Sequence, residues 1–161
     1  MNPLIRRPEE ILAFRSLQQI LGVKPWALWT IGPTDNVLAA LQIMADRNIG
    51  FLVVLDAGKL VGVLSERDCA RRVMLARLSP EVTPVGKVMV RDVVTVDLSR
   101  TFGDCLKLMH QHGIRHLPVM ESGKAVAVVS VRHLMSEAIE HHKRIILELE
   151  QERTTIYTST A

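Results

Sequence analysis

The sequence predicts an α+β fold in which two β-α-β-β-α repeats pack with pseudo-two-fold symmetry, flanked by an N-terminal and a C-terminal helix. Two observations carry this prediction. A segment of forty residues recurs without a gap 65 positions later, and both copies show the same order of strand-like and helix-like patterns. With 48% hydrophobic and 23% charged residues, the chain has enough apolar material for a core, which excludes a disordered or low-complexity chain.

The repeat aligns residues 30–69 with residues 95–134, and twelve of the forty aligned positions are identical. Most of the other positions exchange one apolar residue for another. A unit of about 60 residues buries little surface on its own, so we expect the two copies to pack through their apolar sheet faces. Related clefts on the pseudo-two-fold axis are the expected sites, because strand ends and helix N-termini meet there.

Each copy begins with a short apolar strand, which ends near Thr30 in the first copy and covers residues 93–96 in the second. An amphipathic helix follows, and Asn48 and Gly113 stand where a left-handed residue would end it. Two strands joined by a Gly-Lys turn come next, and a last helix begins after a serine. The apolar stripe of the two amphipathic helices comprises Val37, Leu41, Met44, Phe102, Leu106 and Met109.

The predicted organisation has five parts. They are an N-terminal helical segment (1–22), the first repeat (23–76), a linker (77–86), the second repeat (87–140) and a C-terminal helix with a tail (141–161). The linker is recognised by its two prolines and its polar spacing. Apolar residues in the segment 9–21 predict a leading helix there.

The C-terminal segment carries a partial heptad pattern. Six residues recur at alternating steps of three and four, which is the spacing of a coiled-coil seam. The pattern allows two interpretations: a helix that folds back on its own chain, and a helix that pairs two copies in a homodimer. The six residues are Ile139, His142, Ile146, Leu149, Arg153 and Ile156.

Charge and composition limit the function classes. Basic residues exceed acidic ones by three, which permits phosphate-bearing ligands, but they are too dispersed to predict a nucleic-acid partner. No apolar run approaches the roughly 18 residues of a membrane helix, and the N-terminus lacks the apolar region of a secretory signal. We therefore expect a cytoplasmic protein with no membrane partner. Cys69 and Cys105 are expected to be small buried hydrophobes.

Three motifs occur in a characteristic order along the two repeats: GVLSERD at 62–68, VMVRDVVTV at 88–96 and IRHLPV at 114–119. With the tandem pattern, they make the chain resemble a pair of CBS domains, named after cystathionine β-synthase, over about residues 20–140. The resemblance implies a regulatory module that binds an adenine nucleotide (AMP, ADP, ATP or an NAD-type dinucleotide) between the repeats. It also implies conformational signalling to an unidentified regulated protein, and we expect a stand-alone member.

The segment from Ser65 to Asp68 has two interpretations. One is a capping box, in which the serine and the acid bond reciprocally at a helix start. The other is a ligand site, in which the helix N-terminus and the serine hydroxyl receive a phosphate and Asp68 accepts from two ribose hydroxyls. In the CBS family this motif holds ribose and phosphate, and the resemblance favours that role for Asp68.

The second repeat departs from the motif, because Ser130 is followed by His133 where the aspartate would stand. A neutral imidazole cannot accept two hydroxyl hydrogen bonds at once. Two unequal sites are therefore expected, one competent at Asp68 and one degraded or altered at His133. This histidine either faces a phosphate when protonated or has no role. The loss of the second aspartate leaves an alternative function open, a structural or dimerisation module whose ligand site has decayed.

The other candidate residues hold equivalent or neighbouring places in the two copies. The arginines after the helix starts either contact phosphate or are solvated, and the resemblance implies that basic residues before Pro118 reach phosphates. Phe51 either lines a base pocket or belongs to the core, and Trp26 and Trp29 cover a hydrophobic edge or a cleft. The threonines end strands, where relatives contact base or ribose. The full candidate set is Thr30, Phe51, Ser65, Arg67, Asp68, Thr95, Arg115, His116, Pro118, Ser130 and Arg132.

Motifs of catalysis and metal binding are missing from the sequence. His110 and His112 would point to different sides of a helix, which is a poor arrangement for chelation, and adjacent His141 and His142 also diverge. The sequence contains no phosphate-binding P-loop and no nucleophile elbow. We therefore expect no enzymatic activity, no metal and no catalytic cofactor.

Overall fold

The computed structural model describes residues 15–22 and 27–159, without the side chains of residues 152 and 154–159. Helix α1 (Leu17–Leu21) precedes the first repeat. The first repeat contains β1 (Thr30–Ile31), α2 (Val37–Arg47), β2 (Phe51–Asp56), β3 (Lys59–Ser65), α3 (Glu66–Cys69) and a π-helical turn (Ala70–Met74). Helix α4 (Val85–Val88) leads to the second repeat, which contains β4 (Val96–Asp97), α5 (Phe102–His112), β5 (His116–Glu121), β6 (Lys124–Ser130) and α6 (Val131–Ser159).

Each repeat forms one three-stranded sheet with the same topology. In the first sheet β1 runs parallel to β2, and β2 pairs with β3 in antiparallel fashion; β4, β5 and β6 repeat this arrangement. The hairpin registers coincide under the 65-residue offset, since Phe51 pairs with Ser65 and His116 pairs with Ser130. The predicted α+β fold of two β-α-β-β-α repeats is confirmed.

Both hairpins turn through the same backbone conformation. Ala57 and Gly58 have φ values of 47° and 78°, and Ser122 and Gly123 have φ values of 48° and 78°. Positive φ at both central residues is the requirement of the tight turns whose twist matches that of the flanking strands. The turn therefore lies one residue earlier than the predicted Gly-Lys pair, since Lys59 and Lys124 are already the first residues of β3 and β6.

The long helix of each repeat begins and ends with a recognisable cap. Asn36 caps α2 by accepting from the Ala39 amide at 2.8 Å, and Thr101 caps α5. The predicted left-handed C-caps are confirmed, because Asn48 has φ 52° and Gly113 has φ 63°. These caps place the helices over the sheets, where each repeat has its own core cluster.

The first strand of the second repeat is shorter than predicted. The sequence indicated a strand over residues 93–96, but β4 begins only at Val96. In the first repeat the Val53 amide donates to the Trp29 carbonyl at 3.1 Å. Pro118 holds the place equivalent to Val53 and has no N–H to donate, so the second repeat lacks this bond.

The leading helix begins later than predicted. Ser16 is extended (ψ 161°) and caps α1, with its amide donating to Gln19 Oε1 at 2.9 Å. The prediction of one helix over 9–21 is therefore wrong at Ser16, where the backbone is extended. Residues 9–14 lie outside the described part of the chain. Leu17 and Ile20 of α1 are buried in the core of the second repeat.

The predicted linker returns to the start of α2. The Thr83 and Pro80 carbonyls accept from the Val37 and Leu38 amides at 2.9 and 3.0 Å. These amides belong to the first turn of α2, which has no partners within the helix. The segment between the repeats therefore contributes to the first repeat's structure, while the domain boundaries themselves stay predictions.

The closing helix of the second repeat and the expected C-terminal helix form the single helix α6, so residue 141 lies within it. On α6, Glu137 is 7% exposed and receives hydrogen bonds from Arg15 at 2.9 and 2.7 Å and from Arg144 at 3.0 Å. Burial raises the pKa of Glu137, but the two arginines outweigh this effect and hold it below its usual value. The cluster fixes the segment before α1 to the long helix.

Candidate functional site

Ser65 ends β3 and caps α3. Its backbone N–H and its hydroxyl donate to Oδ2 of Asp68 at 2.9 and 2.5 Å, while its Oγ accepts from the Asp68 amide at 3.2 Å. The capping-box interpretation is therefore confirmed. Every one of these bonds to the carboxylate uses Oδ2, so the cap leaves Oδ1 able to accept from a ligand.

A cavity of about 290 Å³, here called cleft 1, lies beside this cap and takes residues from both repeats. The first repeat contributes polar groups at the start of α3, and the second contributes apolar groups before β4 and the basic segment before β5. A cavity that combines an apolar wall, three carboxylates and two arginines suits a ligand with a flat apolar part and hydroxyl or phosphate groups. Lining residues include Ser65, Arg67, Asp68, Val94, Ile114 and Arg115.

A second cavity of about 330 Å³, here called cleft 2, occupies the related place on the other side of the pseudo-two-fold axis. It lies beside the start of α6, as cleft 1 lies beside the start of α3. Trp29 takes the place that Val94 has in cleft 1, and the Arg47 guanidinium lies 4.2 Å from the centre of the Trp29 ring. Lining residues include Trp29, Ile49, Arg115, Ser130, Arg132 and His133.

Phe51 and His116, which are equivalent in the two repeats, stack with ring centres 4.6 Å apart and planes at 15°. Both rings line both clefts, so the stacked pair is a wall that the clefts share. Burial, followed by the charge of Arg115 and the neighbouring His133, lowers the pKa of His116 to about 4. The imidazole is therefore uncharged at neutral pH.

The cap of the first repeat recurs in the second with different chemistry. The Ser130 amide donates to Nδ1 of His133 at 3.3 Å, and the His133 amide donates to Ser130 Oγ at 3.3 Å. Burial, then the charge of Arg132, lowers the pKa of His133. An uncharged ring thus replaces the carboxylate as the capping acceptor, and its Nδ1 lone pair is already used by the backbone.

The wall of cleft 1 before β4 is held against the edge of β3. Val63 and Val90 exchange two backbone hydrogen bonds of 2.9 and 2.8 Å. A Cβ on Gly62 would lie 2.6 Å from Met89 Sδ and 3.0 Å from the Val90 carbonyl, so only glycine permits this approach. Gly62 therefore helps to place the residues that follow Val90 in the cleft.

The structure brings most of the sequence-predicted ligand residues together. Cleft 1 is lined by Phe51, Ser65, Arg67, Asp68, Arg115, His116 and Pro118, and cleft 2 by Phe51, Arg115, His116, Ser130 and Arg132. Thr30 and Thr95 line neither cleft, and Trp26 lies outside the described residues. The ligand roles of the candidate set stay predictions.

Several lining residues were not singled out from the sequence. Glu66 and Asp92 bring acidic groups to cleft 1, and Gly50 lines both clefts. A Cβ on Gly50 would lie 2.9 Å from Glu66 Oε2. The repeat alignment could have predicted Val94 as a lining residue. It is the counterpart of Trp29, for which the sequence analysis offered a place at a cleft.

Within residues 15–22 and 27–159, no group of three or more His, Cys, Asp or Glu side chains is arranged to hold a metal ion. The helices of the same described ranges include none that is long and apolar enough to cross a membrane.

Comparison with known proteins assigns the chain to a family. The CBS domain family model matches residues 27–75 and 85–140. Among solved structures, the CBS domain protein NE2398 is 38% identical with a TM-score of 0.75, covering 79% of this chain and 99% of that one. A candidate signal-transduction protein with CBS domains from Burkholderia ambifaria is 34% identical with a TM-score of 0.75, covering 78% and 95%. The chain belongs to the CBS domain family and carries a pair of these domains.

Curated relatives include longer proteins. The CBS domain-containing protein CBSCBSPB1 of Arabidopsis thaliana is 34% identical over 117 residues, which are 71% of this chain and 21% of that protein. The chain therefore spans about a fifth of the length of the first Arabidopsis relatives it matches. YhcV of Bacillus subtilis is 32% identical over 105 residues, which are 65% of this chain and 74% of that protein.

Two more distant structures share the fold. The CBS domain pair of protein MJ0100, solved in complex with 5′-methylthioadenosine and S-adenosyl-L-methionine, is 21% identical with a TM-score of 0.66, covering 77% of this chain and 95% of that one. A hexameric CBS-CP12 protein from bloom-forming cyanobacteria is also 21% identical, with a TM-score of 0.68, covering 77% and 72%.

Proposed function

We propose that the chain is a regulatory module that binds an adenine nucleotide in cleft 1 and signals to a partner protein by a change in the arrangement of its repeats. The carrying observation is the state of Asp68. Its Oδ2 serves the helix cap, and its Oδ1 is left to accept from ribose hydroxyls, while Asp68 lines a cavity between the repeats. A carboxylate that accepts from two hydroxyls at once gives charge-assisted, geometry-specific binding.

Other groups of cleft 1 support the same ligand class. Val94 and Ile114 give an apolar surface for a base, while Arg67 and Arg115 give two cations within the same cavity for phosphate oxygens. The family supports a regulatory role rather than catalysis, and the MJ0100 pair, which shares the fold, holds adenosine-based ligands. The cytoplasmic location expected from the sequence stays a prediction.

Signalling follows if the ligand binds one arrangement of the repeats better than another, since a ligand shifts an equilibrium only by its differential affinity for the two states. Cleft 1 is lined by both repeats, and β3 and β6 are in contact across the interface. A nucleotide held between the α3 cap and the segment before β5 therefore favours arrangements in which both sides reach it.

The test is a thermal-shift panel of AMP, ADP, ATP, NAD and S-adenosyl-L-methionine on the wild type and on Asp68→Asn. A ligand that binds only the folded state raises the melting temperature. Asp104→Asn is the matched control, because Asp104 forms the same box with Thr101 but lines neither cleft. We expect one nucleotide to raise the melting temperature of the wild type and Asp104→Asn, but not of Asp68→Asn. An equal shift in all three proteins would remove Asp68 from the site.

A second candidate function is dimerisation through α6. Ile139, Ile146 and Leu149 of the partial heptad pattern are 54%, 56% and 53% exposed on this helix of 29 residues. An exposed apolar seam at heptad spacing is typical of a helix that pairs with another. This feature favours the homodimer interpretation over a helix folded back on its own chain.

Light scattering on an Ile146→Glu, Leu149→Glu variant tests dimerisation. Leu147 is equally exposed at 56% but lies off the seam, so Leu147→Glu is the matched control. We expect a dimer for the wild type and the control and a monomer for the double variant. A monomeric wild type, or a double variant that stays dimeric, would exclude the α6 interface.

A further inference from the structure

Each repeat is covered by the chain segment that leads into the other repeat. Val85 and Val88 of α4, which leads into the second repeat, are buried in the core of the first. Leu17 and Ile20 of α1, which precedes the first repeat, are buried in the core of the second. The leading segments therefore hold the repeats together, and a side chain that fixes such a segment can also place the residues that line a cavity between the repeats.

Arg72, in the π-helical turn after α3, fixes the end of α4. Its Nη1 donates to the Val88 and Met89 carbonyls, both at 3.0 Å. The last carbonyls of a helix have no partner within the helix, and hydrogen bonds from a guanidinium are stronger than those between neutral groups. Both acceptor residues belong to the core of the first repeat, so Arg72 joins its own turn to a packed segment of the chain.

The segment that Arg72 fixes continues as the wall of cleft 1 before β4. Val90 begins this wall and exchanges two backbone hydrogen bonds with Val63, and residues of the stretch 90–94 line the cleft. Arg72 itself does not line it. Asp68 precedes Arg72 by four residues, which is about one helical turn. One short helical segment therefore carries both the capping carboxylate of cleft 1 and the side chain that holds this wall.

The counterpart of Arg72 under the 65-residue offset is Glu137, where the polarity is reversed. Glu137 accepts from Arg15, in the segment before α1, at 2.9 and 2.7 Å, and neither residue lines cleft 1. The residues 135–139 around Glu137 are α-helical. Arg72 instead lies in the π-helical turn Ala70–Met74, a type of turn that is frequent at functional sites. Equivalent positions thus fix both leading segments, but of the two only Arg72 holds a segment that lines cleft 1.

We propose that Arg72 is a positioning residue for cleft 1, which holds residues 90–94 where they line the cleft and on which nucleotide binding depends without any contact between Arg72 and the ligand. This inference rests on the proposed function, because it takes cleft 1 as the nucleotide site. Coupling between two sites is reciprocal. A nucleotide that needs this wall in place therefore also stabilises α4 on the first repeat, which links occupancy of cleft 1 to the segment that joins the repeats.

Hydrogen exchange followed by NMR on the ligand-free protein tests the positioning directly. The Val63 and Val90 amides report on the wall, and the Val53 amide, which is bonded on the β1 side of the same sheet, is the reference. We expect Arg72→Gln to speed exchange of the two wall amides relative to the reference by about tenfold or more, the usual effect of losing a hydrogen bond to a charged group. Glu137→Ala removes the equivalent side chain of the second repeat and should leave this ratio within about twofold.

Calorimetric titration tests the consequence for the ligand, with AMP, ADP, ATP and NAD as probes. The binding that Asp68→Asn removes reports on cleft 1. We expect Arg72→Gln to weaken that binding by about fivefold or more, the lower end of the usual coupling between sites. Arg71→Gln removes the charge of an exposed neighbour, and Glu137→Ala controls for a general loss of stability, which thermal melting measures in every variant. Both controls should stay within about twofold of the wild type.

The two measurements separate this inference from the proposed function. Wall amides of Arg72→Gln that exchange as in the wild type, or equal nucleotide affinities in Arg72→Gln and Glu137→Ala, would overturn the positioning role and leave cleft 1 as the nucleotide site. If the wild type binds none of the probes, or Asp68→Asn binds them as tightly, the proposed function fails. The exchange ratio then decides alone whether Arg72 holds the wall.

Discussion

The ion cluster around Glu137 gives the sharpest prediction about stability. Its carboxylate is 7% exposed and accepts three hydrogen bonds, two from Arg15 and one from Arg144. Removing one partner from a buried ion pair costs about 3–5 kcal/mol. The arginines are 33% and 39% exposed and regain water, so we expect Glu137→Ala to lower the free energy of unfolding by about 2–3 kcal/mol.

Thermal and urea unfolding measure this loss. In a protein of this size a change of 1 kcal/mol moves the melting temperature by about 2–4 °C, so we expect a decrease of roughly 4–12 °C. Glu140→Ala is the control, because the Glu140–Lys143 pair at 3.0 Å is exposed on the same helix and should contribute less than about 1 kcal/mol. Similar losses in the two variants would refute the argument from burial.

The pH dependence of the same cluster has a defined sign. The folded pKa of Glu137 lies below its ordinary value of 4.5, so the unfolded chain binds this proton more readily than the folded one. The stabilisation is complete above pH 4.5 and is lost as the pH falls through the lowered folded pKa. The difference in melting temperature between wild type and Glu137→Ala should therefore shrink in acid, and a constant difference would contradict this.

Three further predictions concern the core and the clefts. Leu117→Ala removes a fully buried side chain and should cost about 2–5 kcal/mol in urea unfolding, and a loss below about 1 kcal/mol would contradict its core position. Gly62→Ala should weaken nucleotide binding in a titration, because the new Cβ would lie 2.6 Å from Met89 Sδ and displace the cleft wall; an unchanged affinity would show that the wall is unimportant. His116 has its pKa lowered to about 4, so wild-type stability should fall as the pH drops below 6.5 towards 4, where the unfolded chain binds the proton first. His116→Phe should lack this part of the acid sensitivity, and identical pH profiles would contradict the assignment.

The repeat made most of the fold predictable. Gap-free self-similarity gave the element order, and Asn48 and Gly113 marked the helix ends because few residues adopt the left-handed region. The predictions of the start of β4 and of α1 failed because local hydrogen bonding overrides the hydrophobic periodicity. Pro118 has no amide N–H for the hydrogen bond that would extend β4 towards its N-terminus. The capping box of Ser16 begins helix α1 in the middle of the apolar pattern of residues 9–21.

The candidate site was predictable where residues recur and less so where the two repeats meet. Ser65, Asp68 and the arginines follow from the motif and its copy. The stack of Phe51 on His116 joins equivalent positions across the pseudo-two-fold axis, and the alignment showed their equivalence without showing their contact. Asp92 belongs to no predicted motif of the cleft, since its place in cleft 1 depends on how the segment after Val90 docks on β3.

A double-mutant cycle tests whether Asp68 receives the ribose hydroxyls of a nucleotide in cleft 1. Titrations compare adenosine with 2′,3′-dideoxyadenosine on the wild type and on Asp68→Asn. We expect loss of the hydroxyls to weaken binding to the wild type by about tenfold or more and to Asp68→Asn by much less. An equal loss in both proteins would show that the hydroxyls are recognised elsewhere and that Asp68 does not bind them.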